Sequence, residues 1–389
     1  MQNLPGKLRK LSIKLAGRKV DLKNLRVNTW GIAVLLISIL IMWPIIALVF
    51  LSFGDSQGLW KHLLENVMLK YISTTLTLMI GVLALTLLFG VSTAWIITRY
   101  DFKFKKYVDL ILILPAACPA YLVAYAYTDF FEYAGPIQGM LRNFMGWSNA
   151  SEYYFPEIRS IGGAVFVLAS VLYPYVYLLS RTAFLQTPKS LLEVSSIYGR
   201  SKFWNVSLPI ARPAIVAGSA LVCMEVVSDF GTVEYFSLDT LTLGIFNVWI
   251  GMNNITAASQ IAIFTFLFII LLLLIEIRSR SEKRFHDTSR YQSQIYVKNA
   301  KSFQSMILIT ICLIPVSCGF FVPVVILITN ISQFYSLTDF FKMVPALQNT
   351  VTVAALGSLI IVTVATFLAC TTVATEDKKL QNFATISAM

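Results

Sequence analysis

Eight apolar stretches run through the chain, each long enough to cross roughly 30 Å of hydrocarbon at about 1.5 Å per helical residue. They lie at Trp30 to Phe53, Tyr71 to Ile97, Tyr107 to Tyr127, Ile161 to Phe184, Ala214 to Val233, Ala257 to Ile277, Phe303 to Ile328 and Val351 to Val373. The composition agrees: 57% of residues are hydrophobic and 13% charged, where a soluble domain has about half and a quarter. The expected fold class is therefore all-α, a polytopic transmembrane helical protein in contact with membrane lipid.

Lysine and arginine give the orientation, because short cytoplasmic loops retain positive charge. The arm before Trp30 carries eight of them, and the segments Arg99 to Lys106, Arg181 to Arg212, Arg278 to Lys301 and Lys378 to Lys379 bring the total on that side to 26 of 31. Lys61, Lys70, Arg142, Arg159 and Lys342 remain for the opposite side. The amino terminus and the chain end are thus expected in the cytoplasm. The same placement accounts for the net charge of +11 through topology and anionic lipid, without a nucleic-acid partner. The basic arm of residues 1–29 is too long, and the run after it too extended, for a cleaved signal peptide.

Little of the chain suits catalysis or a resident metal. Cys118, Cys223, Cys312, Cys318 and Cys370 all fall inside apolar spans without paired ligand spacing, and His62 and His286 are the only histidines. Packing is the expected role for the thiols, and a histidine triad lacks material.

An internal repeat organises the spans. Ser73 to Leu78 matches Asn349 to Val353, and at an offset of 275 residues Ala94 meets Ala369 while Asp101-Phe-Lys103 meets Glu376-Asp-Lys378. Pro44 repeats as Pro323. Six spans separate the copies, so both have one orientation, which argues against an inverted-repeat secondary transporter. The first copy covers residues 30–277 and the polar, charged stretch 278–302 reads as a cytoplasmic linker. The second, 303–389, supplies two spans and stops at Met389 on the register of Leu114. Carboxy-terminal truncation is the expectation, with about four helices and a second loop equivalent to Thr187 to Arg212 absent. The alternative is a complete six-helix unit with two added helices.

The loop 187–212 carries the most specific pattern. Ser190 precedes Leu191-Leu192-Glu193, so Ser190 is expected to cap a short helix while Glu193 reaches back to its N–H. Gly199 stands where a left-handed C-cap residue is wanted. A helix of about two turns is marginal in water. It needs a packing partner.

Glu193, Ser195, Gly199 and Leu208-Pro209, with Val206 at the aliphatic position before the pair, resemble the EAA loop of bacterial ABC importer permeases. Val194 departs from the small residue usual at its position. Six residues separate Gly199 from Val206 where the family usually has nine, a difference that would turn the following helix by about 60°. The resemblance implies a type I ABC importer permease fold, a six-helix first copy plus two helices of a second. It also implies a coupling helix seated in a cleft of a dimer of ABC ATPase subunits. No Gly-x-x-x-x-Gly-Lys-Ser/Thr run is present, so no phosphate cradle is encoded. ATP and Mg are then used by the partner ATPase, and this chain binds no cofactor and is no enzyme.

Met224 to Phe236, together with Leu208 to Ala214 and Thr242 to Trp249, resembles the ferric-iron importer permeases, which are fused two-copy chains. That resemblance implies an inner-membrane, multi-pass subunit fed by a periplasmic solute-binding protein. Glu225 lies about 16 Å into the membrane beyond Ala214, and Asp229 one turn further, on the same face of a continuous helix. Intramembrane carboxylates are expensive and mark pathways, and ferric iron favours oxygen ligands. The same two side chains also suit hydrogen bonding to neighbouring helices and capping before Gly231. Tyr121 with Tyr125, and Tyr173 with Tyr177, share faces, for which packing or an interfacial belt is the simpler role. The external segments Asp129 to Arg159 and Gly231 to Ala257 are net acidic, suited to cations or to a basic partner surface. Thiamine or phosphonate import, a secondary transporter or channel without ATPase, and an inactive fragment are the competing readings.

Overall fold

In the computed structural model the described residues are 14–15, 18–19, 29–281, 297–334 and 337–374. Most of the basic arm, the linker residues 282–296 with His286, the repeat positions Glu376 to Lys378 and the chain end at Met389 lie outside them. The strands β1 (Lys14–Leu15) and β2 (Arg18–Lys19) form a short antiparallel pair. The helices in chain order are α1 (Thr29–Ser52), α2 (Leu59–Asn66), α3 (Met68–Arg99), α4 (Lys105–Ile111), α5 (Ala120–Phe131), α6 (Pro136–Met145), α7 (Ile161–Leu185), α8 (Lys189–Ile197), α9 (Leu208–Ser228), α10 (Gly231–Tyr235), α11 (Leu241–Phe246), α12 (Ile255–Ser281), α13 (Ser302–Val316), α14 (Val322–Phe334) and α15 (Leu337–Ala374). Between α3 and α4 lies β3 (Tyr100–Asp101), which pairs in parallel with β4 (Lys298–Asn299) just before α13.

Among the described residues six helical stretches are long and apolar enough to cross a membrane, and a seventh passes as a broken pair. Helix is the expected solution in hydrocarbon, since every backbone N–H and C=O then finds a partner within the segment. Side-chain hydroxyls follow the same rule. Thr75, Thr93 and Thr98 donate to the carbonyls of Tyr71, Phe89 and Ala94 at 2.8, 2.6 and 2.8 Å, so these buried hydroxyls on α3 are satisfied by their own helix.

Most expected spans keep their place, but the third does not run continuously. Lys105–Ala117 and Ala120–Met145 meet at 88°. The cause is local: Pro119 lacks an N–H and biases the residue before it away from helix, and Cys118 accordingly sits at φ −91, ψ 122. Pro115 lies at the start of the 3-10 turn Leu114–Ala117. The fifth span also shifts, since helical structure begins at Phe203 and ends at Ser228 rather than running from Ala214 to Val233.

The chain divides into two compact units, residues 48–335 and residues 1–47 with 336–389. In the larger unit α7 is central, with α3 and α9 packed on it. Gly90 and Gly218 allow this. A Cβ at Gly90 would lie 2.8 Å from Val176 Cβ and 2.9 Å from the Tyr177 N, and one at Gly218 would lie 3.0 Å from Val176 Cα. Backbones therefore approach closely on both sides of α7, as in other membrane bundles where small residues face a neighbour. Leu78, Val82, Leu168, Leu172, Val222 and Val226 fill the core around them.

In the larger unit α13 also packs on the core: Leu308, Cys312 and Val316 join Tyr173, Tyr177 and Phe184 in one cluster. Tyr127 donates its hydroxyl to the Cys318 carbonyl at 2.7 Å, and Asn330 donates to Asp129 at 2.8 Å. In the smaller unit α1 packs Val34 and Ile37 against Val364, Phe367 and Leu368 of α15.

Replacing Gly90 by Ala should force α3 off α7 and lower stability by about 1 to 3 kcal/mol, the usual range for overpacking. Gly81→Ala meets only the Val165 methyl groups, the nearest at 2.7 Å, and should cost less. Thermal unfolding of the two variants in detergent checks the order.

Candidate coupling loop and translocation face

Helix α8 begins one residue before Ser190. Pro188, extended at φ −58, ψ 134, occupies the N-cap position and no side chain caps the helix. The expected capping box is therefore absent: Ser190 lies within the first turn, and Glu193 instead pairs with Lys189 at 3.6 Å one turn earlier. Proline explains the shift, since its fixed φ and missing N–H suit a helix start and let the chain turn without a serine cap.

The other end forms as the sequence suggests. Gly199 has φ +65, the left-handed conformation that a Cβ disfavours. Its N–H reaches the Ser196 carbonyl at 3.1 Å, and the Arg200 N–H reaches the Ser195 carbonyl at 2.9 Å, the two bonds of a Schellman cap. Ser195 adds its hydroxyl to the Arg200 carbonyl at 3.0 Å. After three more residues a π-helical turn, Phe203–Ser207, leads into Leu208 and Pro209 at the head of α9.

The burial of α8 is the reverse of what a free surface helix wants. Leu192 and Ser195 face the bundle, while Leu191, Val194, Ile197 and Tyr198 are 43%, 48%, 81% and 76% exposed. Beside them is an open groove of about 510 Å³ lined by Leu191, Val194, Tyr198, Asn205, Val206 and Pro209. The loop thus presents an apolar ridge and an adjoining hollow, the pattern expected of a surface awaiting a protein partner.

At the opposite end of α9, the two carboxylates separate. The helix stops at Ser228, and Asp229 is extended at φ −64, ψ 126. It does not share a helical face with Glu225. Its carboxylate accepts from the N–H groups of Thr232 and Val233 and from the Thr232 hydroxyl, each at 3.1 Å. Exposed helix-start N–H groups attract an acceptor of this kind, so Asp229 is spent on starting α10. Glu225 remains exposed on α9, near the Tyr175 side chain. Tyr121 and Tyr125 are also exposed, whereas Tyr173 and Tyr177 are fully buried. Tyr173 donates to the Leu112 carbonyl at 2.8 Å and Tyr177 donates to Asp109, so packing and anchoring account for that pair.

Three charged side chains that the sequence alone does not single out prove structural. Asp109 accepts from Arg181 at 2.5 Å as well as from Tyr177. Arg99 is buried at the end of α3. A basic residue closing an apolar helix is so common that nothing in the sequence marks these as special.

Residues 86–285 match the family described as binding-protein-dependent transport system inner membrane component. The matched stretch runs from the second half of α3 through α12 and contains both the α8 loop and Glu225. The chain belongs to this family. It is an ABC importer permease subunit, a multi-pass inner-membrane transport component and not an enzyme. Among its relatives is the molybdate/tungstate transport system permease protein WtpB of Methanocaldococcus jannaschii, 26% identical over 182 residues, which are 46% of this chain and 68% of that one. The Fe(3+)-transport system permease protein FbpB 2 of Haemophilus influenzae is 24% identical over 311 residues, 76% of this chain. The permease spans about half of that relative, 55% of its length. A bacterial ABC transporter involved in the import of the acidic polysaccharide alginate shares the fold, at 17% identity and a TM-score of 0.50, over 67% of this chain and 99% of that one.

Gly199→Ala should strain the Schellman cap by about 1 to 2 kcal/mol, the penalty for a Cβ in the left-handed region, while Gly199→Asn is better tolerated. Hydrogen exchange of the Gly199 and Arg200 amides reads this directly, with faster exchange in the alanine variant.

Proposed function

We propose that the permease moves ferric iron inward, driven by a separate pair of ABC ATPase subunits that seat on α8. The basic side of the chain, with the amino terminus and the α8 loop, is then cytoplasmic. A periplasmic solute-binding protein delivers cargo to the opposite face, and ATP and Mg belong to the ATPase. The observation that carries the coupling reading is the outward apolar ridge of α8, closed by Gly199 and continued by Leu208-Pro209. A helix of nine residues with exposed Leu191, Val194 and Ile197 gains little alone in water. Docking supplies what isolation cannot.

Cargo is argued from charge. The relatives carry either an oxyanion or a trivalent cation, and these demand opposite linings. Glu225 stands exposed on α9, and Asp129, Glu132, Glu152, Glu157, Glu234 and Asp239 occur in the two external segments against Arg142 and Arg159. Arg159 is paired with Glu132 at 2.6 Å and Lys70 with Asp239 at 2.7 Å, so these charges cancel and Asp129, Glu152, Glu157 and Glu234 are left against Arg142. Such a mouth attracts cations and repels oxyanions. Here iron is cargo, touched by carboxylates and released.

Uptake of radiolabelled ferric iron by cells lacking their own permease tests the assignment. The parent chain, expressed with its ATPase and binding protein, should restore uptake. Glu225→Gln should lower it about tenfold or more by removing the exposed charge. Ile197→Asp should abolish it through a buried charge at the docking ridge that costs about 2 kcal/mol or more. Restored uptake of molybdate with none of iron would overturn the cargo, and full uptake by Ile197→Asp would overturn the coupling role.

A further inference from the structure

Arg99 closes α3 with its side chain only 4% exposed. Among the described residues no carboxylate pairs with it. Its Nη2 donates to the Phe184 carbonyl at 2.8 Å and to the Ser207 hydroxyl oxygen at 3.3 Å. These acceptors flank α8 closely. Phe184 is the penultimate residue of α7, just before the loop, and Ser207 is the last residue of the π turn that leads into α9. One guanidinium therefore spans both feet of the segment that carries α8.

The surroundings reinforce that bridge. The guanidinium carbon lies 5.2 Å from the centre of the Trp95 ring. Trp95 in turn packs edge-on against Phe184 at 5.6 Å and Phe203 at 5.0 Å, so the rings repeat the link between one turn of α3 and the two feet of the loop. Phe184 and Ser207 are themselves fully buried. A positive group at the carbonyl end of α7 is favourably placed against the helix dipole, and hydrogen bonds made by a charged donor are among the stronger ones. Both bonds leave one terminal nitrogen, and arginine suits the task better than lysine because its planar, delocalised group can hold that nitrogen between two acceptors while lying over an aromatic ring.

We propose that Arg99 is a positioning residue that clamps the base of the α8 loop to α3, so that a push on α8 moves α3, α7 and α9 together. The inference rests on α8 being the ATPase docking helix, as argued above, and goes beyond it by naming the joint through which motion enters the bundle. Without the clamp, α8 still docks but its two feet yield separately. Motion is then absorbed in the loop.

Two measurements of hydrogen exchange decide this. In the permease alone, Arg99→Met should speed exchange in residues 184–188 and 203–207 about tenfold, and Ser207→Ala about threefold, because local opening becomes easier. In complex with the ATPase subunits, nucleotide binding should change exchange both in α8 and in the last turn of α3 of the parent chain. In Arg99→Met, subunit capture should stay within about twofold of the parent. The change in α8 should persist there while that in α3 falls at least fivefold, with Arg99→Lys intermediate. Undiminished transmission to α3 in Arg99→Met overturns the proposal. Should that variant fail to assemble, undiminished transmission in both Arg99→Lys and Ser207→Ala overturns it instead. If the parent captures no ATPase, the docking reading fails, and the exchange of the permease alone still decides the clamp, with parental rates in all variants overturning it.

Discussion

Val176 sits between two glycines, Gly90 on α3 and Gly218 on α9, and the bundle depends on that contact. Neither glycine has room for a Cβ beside the α7 backbone. In lipid, where apolar surface alone gives helices little reason to associate, close backbone approach is what yields dense packing. Once α3 and α9 are drawn onto α7, Tyr173 and Tyr177 on the same helix are held in place. Their hydroxyls then reach Leu112 and Asp109, and the first arm of the broken span is fixed to the core. The break at Pro115 and Pro119 lets the second arm leave at 88° toward the segment of α6.

Polar chemistry is concentrated at the two ends of this core. At one end Asp109, Arg181 and Arg99 tie α4, α7, α3 and α9 around the base of the α8 loop. At the other, Asp229 and Thr240 start the short helices α10 and α11 with side-chain caps. Between them lie mainly aliphatic side chains and hydroxyls bonded within their own helices, with the Tyr127 and Tyr173 hydroxyls reaching carbonyls of neighbouring segments. This division lets a stiff bundle carry motion between ends that each make specific contacts. Helix α8 directs the apolar side chains of Leu191, Val194 and Ile197 away from the bundle.

Much of this was legible in the sequence where a single residue has a single physical use. The spans follow from length and hydropathy. Gly199 could be assigned a left-handed cap because few other residues tolerate that φ. Legibility failed where two residues compete for one task. Ser190 looked like a cap, but Pro188 had already set the start of α8. Tyr107 to Tyr127 looked continuous because its hydropathy is unbroken, although Cys118 before Pro119 carried the signal for the bend. Asp229 and Glu225 have helical spacing, yet Asp229 lies one residue past the end of α9 and serves α10. The role of Arg99 depends on Phe184 and Ser207 folding to it from 85 and 108 residues away. No local pattern encodes such a contact.

The central claim is that α8 is the socket for an ATP-hydrolysing subunit. The most direct test places a photo-crosslinking residue at position 197 of α8 and, as a control, at position 144 of α6, both of which are more than 80% exposed. Illumination of membranes containing the ATPase subunits should join position 197 to the ATPase and leave position 144 unjoined to it. No ATPase adduct at 197, or an equal one at 144, would contradict the account.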